Sequence, residues 1–434
     1  MVASVIYGLS VFIKKRKVSS RLDSIEELVQ KHSLNNLASH FGDYILDIDT
    51  VHDISQLIWE KYKKEQLLHS NSTKTFKYSV TTIGHPSVFP LGYPLYIALH
   101  GGGDTGEQVN DDQWKQMQHY YVTGIHQGIY IAPRAITNTW DMHWVSDAFP
   151  LYDDLIEYAI VHHQVDPNKV YLLGFSAGGD GTYQISARMS DRFAAVNASA
   201  GHPNHVSIRN WYHLPIQMQV GEHDAAYDRN KVVAHYDALL NAAHNENENG
   251  FKHNTCIHYR KEHNFRDNDV DLQKVYTSPQ GWSSGTNMDI EHKNTNAAKW
   301  LQQWRRNPLP TTIFWDLTTT AESRRRKSKL FYWLDIGNHT ANSLGINEIV
   351  VSCLLDKNTI VIQKAATYLK ILITSRMFDV SIPIHIEIDK QYLSISVVPT
   401  LHSLLNTLTE RGDYHYMFES SIELQQQRGQ WHIL

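Results

Sequence analysis

The chain has 434 residues, which is enough for about two or three domains with a large buried core. Its formal net charge of −5 provides no overall basic field, so we predict that it does not bind nucleic acid. It contains only two cysteines, Cys256 and Cys353, which excludes a disulfide framework.

The first 75 residues are predicted to form a helical, polar extension. Segments 22–37 and 54–68 have apolar positions at helical spacing. The mostly apolar run 2–13 lies before the positive charges, whereas a secretory signal has its charges first, so no secretory signal is predicted. The run is also shorter than the roughly 20 residues of a spanning helix, so no firm membrane anchor is predicted. A short surface helix or a weakly membrane-associating tail is the alternative for this run. We therefore expect a cytoplasmic protein.

The rest of the chain shows two different patterns of predicted secondary structure. Residues 76–307 alternate strand and helix patterns, which is typical of an α/β fold with a mostly parallel sheet and helices on both faces. Residues 312–388 contain short strand patterns without long helices between them, which predicts a small antiparallel β domain over 311–434. A helix predicted over 297–306 ends at the Pro308-Leu309-Pro310 boundary.

A buried-strand pattern over 93–99 ends in His100 and three glycines. Backbone N–H groups of such a loop can approach a reacting carbonyl oxygen closely. We predict that Gly101 and Gly102, together with the N–H of Ala177, form an oxyanion hole. The alternative is a plain glycine turn.

The strand predicted over 128–134 is followed by Trp140, His143 and Trp144. Side chains after a strand end in this type of fold lie where a substrate would pass. We predict that these three residues wall a substrate pocket, and the alternative is that they cover the edge of the sheet.

The strand predicted over 170–173 continues directly into Gly-Phe-Ser-Ala-Gly-Gly at 174–179, and a helix is predicted over 180–189. A serine on such a turn is held in a strained backbone with its hydroxyl pointing out of the sheet. Ser176 is therefore the predicted nucleophile.

A serine nucleophile needs a base, and the base needs an acid that fixes its tautomer. The acid is predicted to be Asp224, after the strand over 214–220, with Glu222 and Asp228 as rivals. The base is predicted to be His263, just past the strand over 256–260. Because the chain has 26 histidines and an insertion over 266–288, His292 stays open as an alternative.

Other histidines follow no metal-binding pattern. His202, His205, His213 and His223 lack an accompanying His-Glu-x-x-His motif or carboxylate bridge, so we predict loop histidines and no metal or organic cofactor. The basic run 324–329 is predicted to be a solvated hairpin loop, with contact to acidic groups or nucleic acid as the alternative.

Taken in chain order, the glycine loop, the Gly-x-Ser-x-Gly turn, Asp224 and His263 resemble the α/β-hydrolase superfamily, over residues 90–390. Within it the chain looks like the dienelactone hydrolase, polyhydroxybutyrate depolymerase-like and prolyl oligopeptidase-like esterases. The resemblance implies a catalytic domain over 76–307 and a serine hydrolase that cleaves carboxylic esters of small molecules or acyl groups. A serine peptidase, or a binding protein on an inactive hydrolase scaffold, is the alternative.

Overall fold

The computed structural model describes residues 25–68, 77–84, 92–286, 288–319 and 330–434. The apolar run 2–13 and the basic run 324–329, both singled out in the sequence, lie outside the described residues. Within the described ranges no helix is long and apolar enough to cross a membrane.

In the part of the chain that the structure describes, three helices precede β1: α1 (Ile25–Lys31), α2 (Leu34–Phe41) and α3 (Val51–Leu68). Their buried side chains, which include Leu37, Ile54 and Ile58, share one apolar cluster. The predicted helical character of this region therefore agrees with the described residues 25–68.

The centre of the molecule is a nine-stranded sheet with the strand order β1-β3-β2-β4-β5-β6-β7-β8-β9. The strands are β1 (Tyr78–Ile83), β2 (Tyr93–Leu99), β3 (Gly128–Pro133), β4 (Val165–Phe175), β5 (Ala195–Ser199), β6 (Ile216–Gly221), β7 (His253–His258), β8 (Leu272–Tyr276) and β9 (Ile290–Asn294). The six strands β2 to β7 pair in parallel, whereas β1, β8 and β9 pair antiparallel at the edges. Because parallel strands end on the same side, the loops after β2, β4, β6 and β7 meet at one edge.

Six helices accompany this sheet: α4 (Glu107–Tyr120), α5 (Ala148–His163), α6 (Ala177–Arg188), α7 (Arg229–Glu246), α8 (Pro279–Ser284) and α9 (Ala297–Leu301). Alternate residues of β2 enter different apolar clusters, since Leu95 and Ile97 pack with α5, α6 and α7 whereas Tyr96 packs with α4 and α9. This alternation is what a strand buried on both faces requires.

One sequence prediction for this part of the chain needs correction. The helix predicted over 297–306 ends at Leu301, because the Arg306 N–H donates to the carbonyl of Asn168 and its side chain enters a buried ion cluster. The insertion over 266–288 contributes β8 and α8, and β8 pairs with β9 to extend the sheet.

The C-terminal region contains two five-stranded sheets. The first has the order β10-β13-β14-β16-β17, formed by β10 (Thr312–Asp316), β13 (Glu348–Leu354), β14 (Thr359–Lys364), β16 (Ile384–Ile388) and β17 (Gln391–Ile395). The second has the order β11-β12-β15-β18-β19, formed by β11 (Leu330–Phe331), β12 (Leu334–Asp335), β15 (Tyr368–Ile373), β18 (Ser420–Gln427) and β19 (Gln430–Ile433). Every pair is antiparallel except β14–β16, and side chains of both sheets share one apolar cluster.

The helices of this region are α10 (Ala341–Leu344) and α11 (Leu401–Arg411). The eleven-residue α11 was not predicted, and it lies beyond the strand patterns at 312–388. It joins the apolar cluster of α1–α3, so the N-terminal helices contact the C-terminal region directly. The domain boundaries at 75, 307 and 311 stay predictions.

Candidate active site

Ser176 lies between the end of β4 and the start of α6. Its backbone has φ 59° and ψ −123°, a conformation that non-glycine residues rarely adopt and that stores strain. The glycines on either side are required by space: a Cβ at Gly174 would lie 2.1 Å from the Gly178 carbonyl oxygen, and one at Gly178 would lie 2.1 Å from that of Leu99. The strand and helix can therefore approach closely enough to form this sharp turn.

A chain of hydrogen bonds joins Ser176, His263 and Asp224. His263 Nε2 lies 2.9 Å from Ser176 Oγ, and His263 Nδ1 lies 2.8 Å from Asp224 Oδ2. The imidazole side chain keeps 35% of its surface exposed, whereas Asp224 is 2% exposed. With Nδ1 protonated and bonded to the carboxylate, Nε2 can accept the serine proton.

The rival acids point elsewhere. Glu222 accepts hydrogen bonds from Tyr276 Oη at 2.5 Å and from the Arg260 N–H at 2.7 Å. Asp228 pairs with Lys231 in an exposed contact. Among the three candidate carboxylates, Asp224 is thus the one that contacts His263.

The rival histidine lies on an edge strand. His292 is exposed on β9, opposite Lys274. His258 on β7 is buried, stacks on Phe265 and contacts Gln219 Oε1 through Nε2 at 3.0 Å. Burial lowers the pKa of His258 to about 3, so its ring is neutral at physiological pH.

The glycine loop after β2 passes close to the serine. A Cβ at Gly101 would lie 3.4 Å from the Ser176 Cβ. Within the described residues no hydrogen bond engages the N–H of Gly101 or Gly102, and Ala177, as the first residue of α6, has no acceptor within its helix. The Gly103 N–H, in contrast, donates to Asn110 Oδ1 at 2.9 Å.

Two buried histidines hold this loop. His100 Nδ1 contacts the Gly101 carbonyl at 2.6 Å, and its Nε2 accepts from the Ala135 N–H at 3.1 Å. Burial lowers the pKa of His100 to about 4. His143 Nε2 in turn contacts the His100 carbonyl at 2.8 Å, so both rings are neutral components of the loop's support.

The three residues predicted to wall the substrate pocket differ in their exposure to solvent. Trp140 is 49% exposed, and its backbone N–H donates to Asp104 Oδ1. Its ring packs edge to face against that of Trp144, with 4.8 Å between the ring centroids. His143 is only 1% exposed, with its Nδ1 3.1 Å from Tyr152 Oη. Its predicted role as a wall of the substrate pocket is therefore wrong, because the surrounding helices and strand exclude it from the surface.

Two residues near the site escaped the sequence prediction. Arg229, the first residue of α7, places Nη1 3.4 Å from Asp224 Oδ1. Asp267, four residues beyond His263, is fully buried and accepts hydrogen bonds from Tyr121 Oη at 2.6 Å and Ser199 Oγ at 2.5 Å. It ties the loop that carries His263 to β5. Arg229 and Asp267 belong to no sequence motif. Only their nearness in sequence to Asp224 and His263 could have indicated that they lie at the site.

No group of three or more histidine, cysteine, aspartate or glutamate side chains suited to a metal occurs in the described part of the chain. Both cysteines are buried, and burial raises the pKa of Cys256 to about 11 and of Cys353 to about 12. The reactive groups that the structure brings together at this edge of the sheet are a hydroxyl, an imidazole and a carboxylate.

A comparison with protein families matches residues 135–258 to the prolyl oligopeptidase family. Among curated proteins, the chain is 28% identical over 123 residues to a bifunctional acetylxylan esterase/xylanase, XynS20E, of Neocallimastix patriciarum, covering 27% of this chain and 17% of the relative. It is 29% identical over 128 residues to a poly(3-hydroxybutyrate) depolymerase of Ralstonia pickettii, covering 25% of each. The chain spans between about a sixth and a third of the length of the curated relatives it matches.

A comparison with solved structures finds, among others, a thermostable esterase, at 19% identity and a TM-score of 0.34, with 53% of this chain and 60% of the other covered. Another is LpqC, a poly(3-hydroxybutyrate) depolymerase from Bordetella parapertussis, at 15% identity and a TM-score of 0.33, with 49% and 85% covered.

The family match and the curated relatives confirm the resemblance drawn from the motifs. Over these residues the chain is similar to serine hydrolases of the α/β-hydrolase superfamily. Within that superfamily its relatives include esterases and a polyester depolymerase.

Proposed function

We propose that the protein hydrolyses carboxylic esters through an acyl-enzyme formed on Ser176. The observation that carries the proposal is the continuous hydrogen-bond chain from Ser176 Oγ through His263 to the buried Asp224. A serine on a strained turn, paired with a histidine that a carboxylate orients, is the arrangement that activates a hydroxyl for attack on an acyl carbon.

In the first half of the reaction, Ser176 Oγ forms a bond to the acyl carbon while its proton passes to His263 Nε2. The carbonyl oxygen becomes an oxyanion, which the N–H groups of Gly101, Gly102 and Ala177 stabilise. The bond to the leaving alcohol then breaks, and His263 returns the proton to the alcohol oxygen. Asp224 stabilises the imidazolium throughout.

In the second half, a water molecule attacks the acyl-enzyme and gives its proton to His263 Nε2. The second tetrahedral intermediate collapses, the bond between the acyl carbon and Ser176 Oγ breaks, and the serine recovers its proton. The products are a carboxylic acid and the free enzyme, so each turnover consumes one ester and one water.

The substrate class is a small or chain-end ester. Trp140 stands exposed beside the glycine loop, since a Cβ at Gly103 would lie 3.2 Å from the Trp140 Cα. It offers an aromatic surface for the acyl or alcohol part. Curated relatives are named as an acetylxylan esterase, a polyester depolymerase and an esterase. The prolyl oligopeptidase family match makes peptides the competing substrate class.

The test combines covalent labelling with turnover of an activated ester. A fluorophosphonate probe should label the wild-type protein and Ser283→Ala, a control at an exposed serine of α8, but not Ser176→Ala. Turnover of p-nitrophenyl acetate should follow the same order. Cleavage of a prolyl p-nitroanilide at a rate equal to or above that of the ester would instead favour the peptidase, and labelling that survives Ser176→Ala would disprove the nucleophile.

A further inference from the structure

The acid of the hydrogen-bond chain has a cationic neighbour that the reaction steps do not use. Arg229 Nη1 lies 3.4 Å from Asp224 Oδ1, whereas the other carboxylate oxygen, Oδ2, lies 2.8 Å from His263 Nδ1. The Arg229 side chain is 12% exposed and that of Asp224 is 1% exposed, so solvent screens this ion pair less than it screens a surface pair. The two oxygens of the carboxylate are thus divided between an arginine and the histidine.

A strained loop brings Arg229 to this position. Tyr227 and Asp228, the two residues before it, have φ values of 57° and 54°, which residues other than glycine rarely adopt. Strain of this kind persists only where surrounding contacts hold it, and it is concentrated at functional sites. The Asn230 N–H donates to the Asp224 carbonyl at 3.2 Å and closes the loop. The first turn of α7 is thereby folded back onto the acid from which the loop starts.

The guanidinium group is also held by its neighbours in the loop. Its central carbon lies 5.0 Å from the centroid of the Tyr227 ring, and this ring is exposed, so it covers the guanidinium from the solvent side. Arg229 Nη1 lies 3.5 Å from the carbonyl oxygen of Ala226. These contacts favour a fixed position of the positive charge beside Asp224.

Other titratable groups lie within the range of the Arg229 charge. Asp180 on α6 and His202 after β5 are joined, because the His202 N–H donates to Asp180 Oδ1 at 2.7 Å. Burial raises the pKa of Asp180 to about 6, and the charge of Arg229 acts in the opposite direction. Burial lowers the pKa of His202, and Arg229 acts in the same direction. Asp228 pairs instead with Lys231 at 2.9 Å.

We propose that Arg229 is a positioning residue that sets the pH range in which His263 acts as base. By contacting Oδ1 it leaves Oδ2 of Asp224 directed at His263, and its positive charge offsets part of the carboxylate charge that stabilises the imidazolium. The acid limb of the pH profile of kcat/KM, where the free base is lost, therefore lies at a lower pH than it would beside Asp224 alone. The inference rests on the proposed function, because Arg229 acts through the hydrogen-bond chain at Ser176.

The test is the pH profile of kcat/KM for p-nitrophenyl acetate from pH 5 to pH 8 at constant ionic strength. Arg229→Gln removes the charge and should move the acid limb up by about 0.5 pH unit or more, whereas Arg229→Lys keeps the charge and should stay within about 0.2 pH unit of wild type. A merely structural role would lower kcat/KM at every pH and leave the limb in place. An unmoved limb in Arg229→Gln, or an equal displacement in Arg229→Lys, would overturn the inference.

Two further variants exclude other origins of a displaced limb. Lys231→Gln removes an exposed positive charge two residues along α7 and should keep the wild-type profile; an equal displacement there would mean that net charge alone is responsible. Asp180→Asn keeps the oxygen that accepts the His202 N–H but does not titrate. The displacement caused by Arg229→Gln should persist in the Asp180→Asn background. Its disappearance would assign the limb to Asp180 and overturn the inference.

Ser176→Ala, measured in parallel, separates this inference from the proposed function, and circular dichroism verifies the fold of each variant. If Ser176→Ala loses turnover while Arg229→Gln keeps the wild-type profile, the role of Arg229 alone is wrong. If Ser176→Ala retains turnover, the proposed function fails and this inference fails with it.

Discussion

The histidine that faces Ser176 differs from the other histidines in its pair of contacts. His263 has a buried carboxylate on Nδ1 and a serine hydroxyl on Nε2. His258, only five residues earlier, is packed inside the sheet with Gln219, and His292 is exposed on an edge strand. A base for the serine needs one ring nitrogen facing the hydroxyl and the other held by a carboxylate, so the surroundings and not the residue type decide which histidine can act as base.

We therefore expect His263→Ala to lower kcat/KM for p-nitrophenyl acetate by roughly 10³-fold or more, because the serine loses its proton acceptor. His292→Ala should stay within a few-fold of wild type. Steady-state kinetics on both variants, with circular dichroism to verify folding, makes the comparison. If His292→Ala shows the larger loss, the insertion after Phe265 carries the base.

Buried neutral histidines also make the free energy of unfolding depend on pH. Burial lowers the pKa of His258 from 6.5 to about 3. Between these values the unfolded chain binds a proton that the native protein does not, so this contribution to stability is complete above pH 6.5 and is lost as the pH falls. The maximum slope is about 1.4 kcal/mol per pH unit. Asp180 has the opposite effect on the free energy of unfolding. Burial raises its pKa to about 6, so as the pH falls the native protein binds a proton before the unfolded chain does.

The variant His258→Gln isolates the histidine from these opposing groups. It can still donate to Gln219 but binds no proton, so its unfolding free energy should fall less steeply than that of wild type between pH 6 and pH 4. Urea unfolding at several pH values measures the difference. His292→Gln, at an exposed position, should follow the wild-type slope. Parallel curves for His258→Gln and wild type would show that His258 is accessible to protons in the native state.

At the scale of elements, the junction of β4 and α6 requires the backbone of α6 to lie very close to the end of β2 and to the glycine loop that follows it. Gly178 lies at the point where α6 crosses the end of β2, and a Cβ there would lie 2.1 Å from the Leu99 carbonyl oxygen and 2.9 Å from that of His100. Neither neighbour is a flexible side-chain end. Any added carbon must therefore displace the helix or the glycine loop.

Gly178→Ala should displace α6 from β2, lower the unfolding midpoint and reduce kcat by at least tenfold, because Ser176 and the glycine loop move apart. Gly106→Ala is the matched control: its added carbon meets nothing within 4 Å, and the loss of a glycine N-cap of α4 costs at most about 1 kcal/mol. Thermal unfolding and p-nitrophenyl acetate turnover report the two effects. Wild-type values for Gly178→Ala would mean that the helix tolerates a shift.

The elements that the sequence predicts well are those whose signal is local. The strand before Ser176, the two glycines beside it, and the strand ends at Asp224 and His263 all occur in short runs, and chain order alone was enough to place them together. The leucines of α11 recur at helical spacing and were detectable, but the strand patterns around them obscured that signal.

Other elements depend on partners that are distant in sequence. Residues 331–334 form a tight hairpin between β11 and β12, in which Tyr332 adopts φ 53° without a glycine or asparagine to mark the turn. The helix that begins at Ala297 ends early because Arg306 is drawn to Asp413, 107 residues later. The burial of His143 likewise follows from packing against α6. No local pattern contains this information.

At the scale of the whole molecule, a buried ion cluster joins the hydrolase sheet to the C-terminal region. Its members are nearly inaccessible to solvent, with side chains 0–3% exposed, and comprise Asp191, Arg192, Arg306, Arg411 and Asp413. Arg306 Nη2 lies 2.7 Å from Asp413 Oδ2, and Arg411 Nη2 lies 2.7 Å from Asp191 Oδ2. Burial alone would raise the pKa of Asp413, yet Arg306 and Arg192 hold it at about 2.

The cluster predicts that the hydrolase sheet and the C-terminal region unfold together. Asp413→Asn leaves the buried charge of Arg306 uncompensated, which typically costs about 3–5 kcal/mol, whereas Arg192 keeps its pair with Asp153. The urea midpoint should therefore fall, and ester turnover, tryptophan fluorescence and far-ultraviolet circular dichroism should all be lost at the same lower urea concentration. Asp112→Asn, which removes an exposed pair with Lys115, should leave the midpoint nearly unchanged because surface ion pairs contribute little. If ester turnover in Asp413→Asn outlasts the circular dichroism signal as urea rises, the hydrolase sheet folds without the C-terminal region and the cluster only fixes their contact.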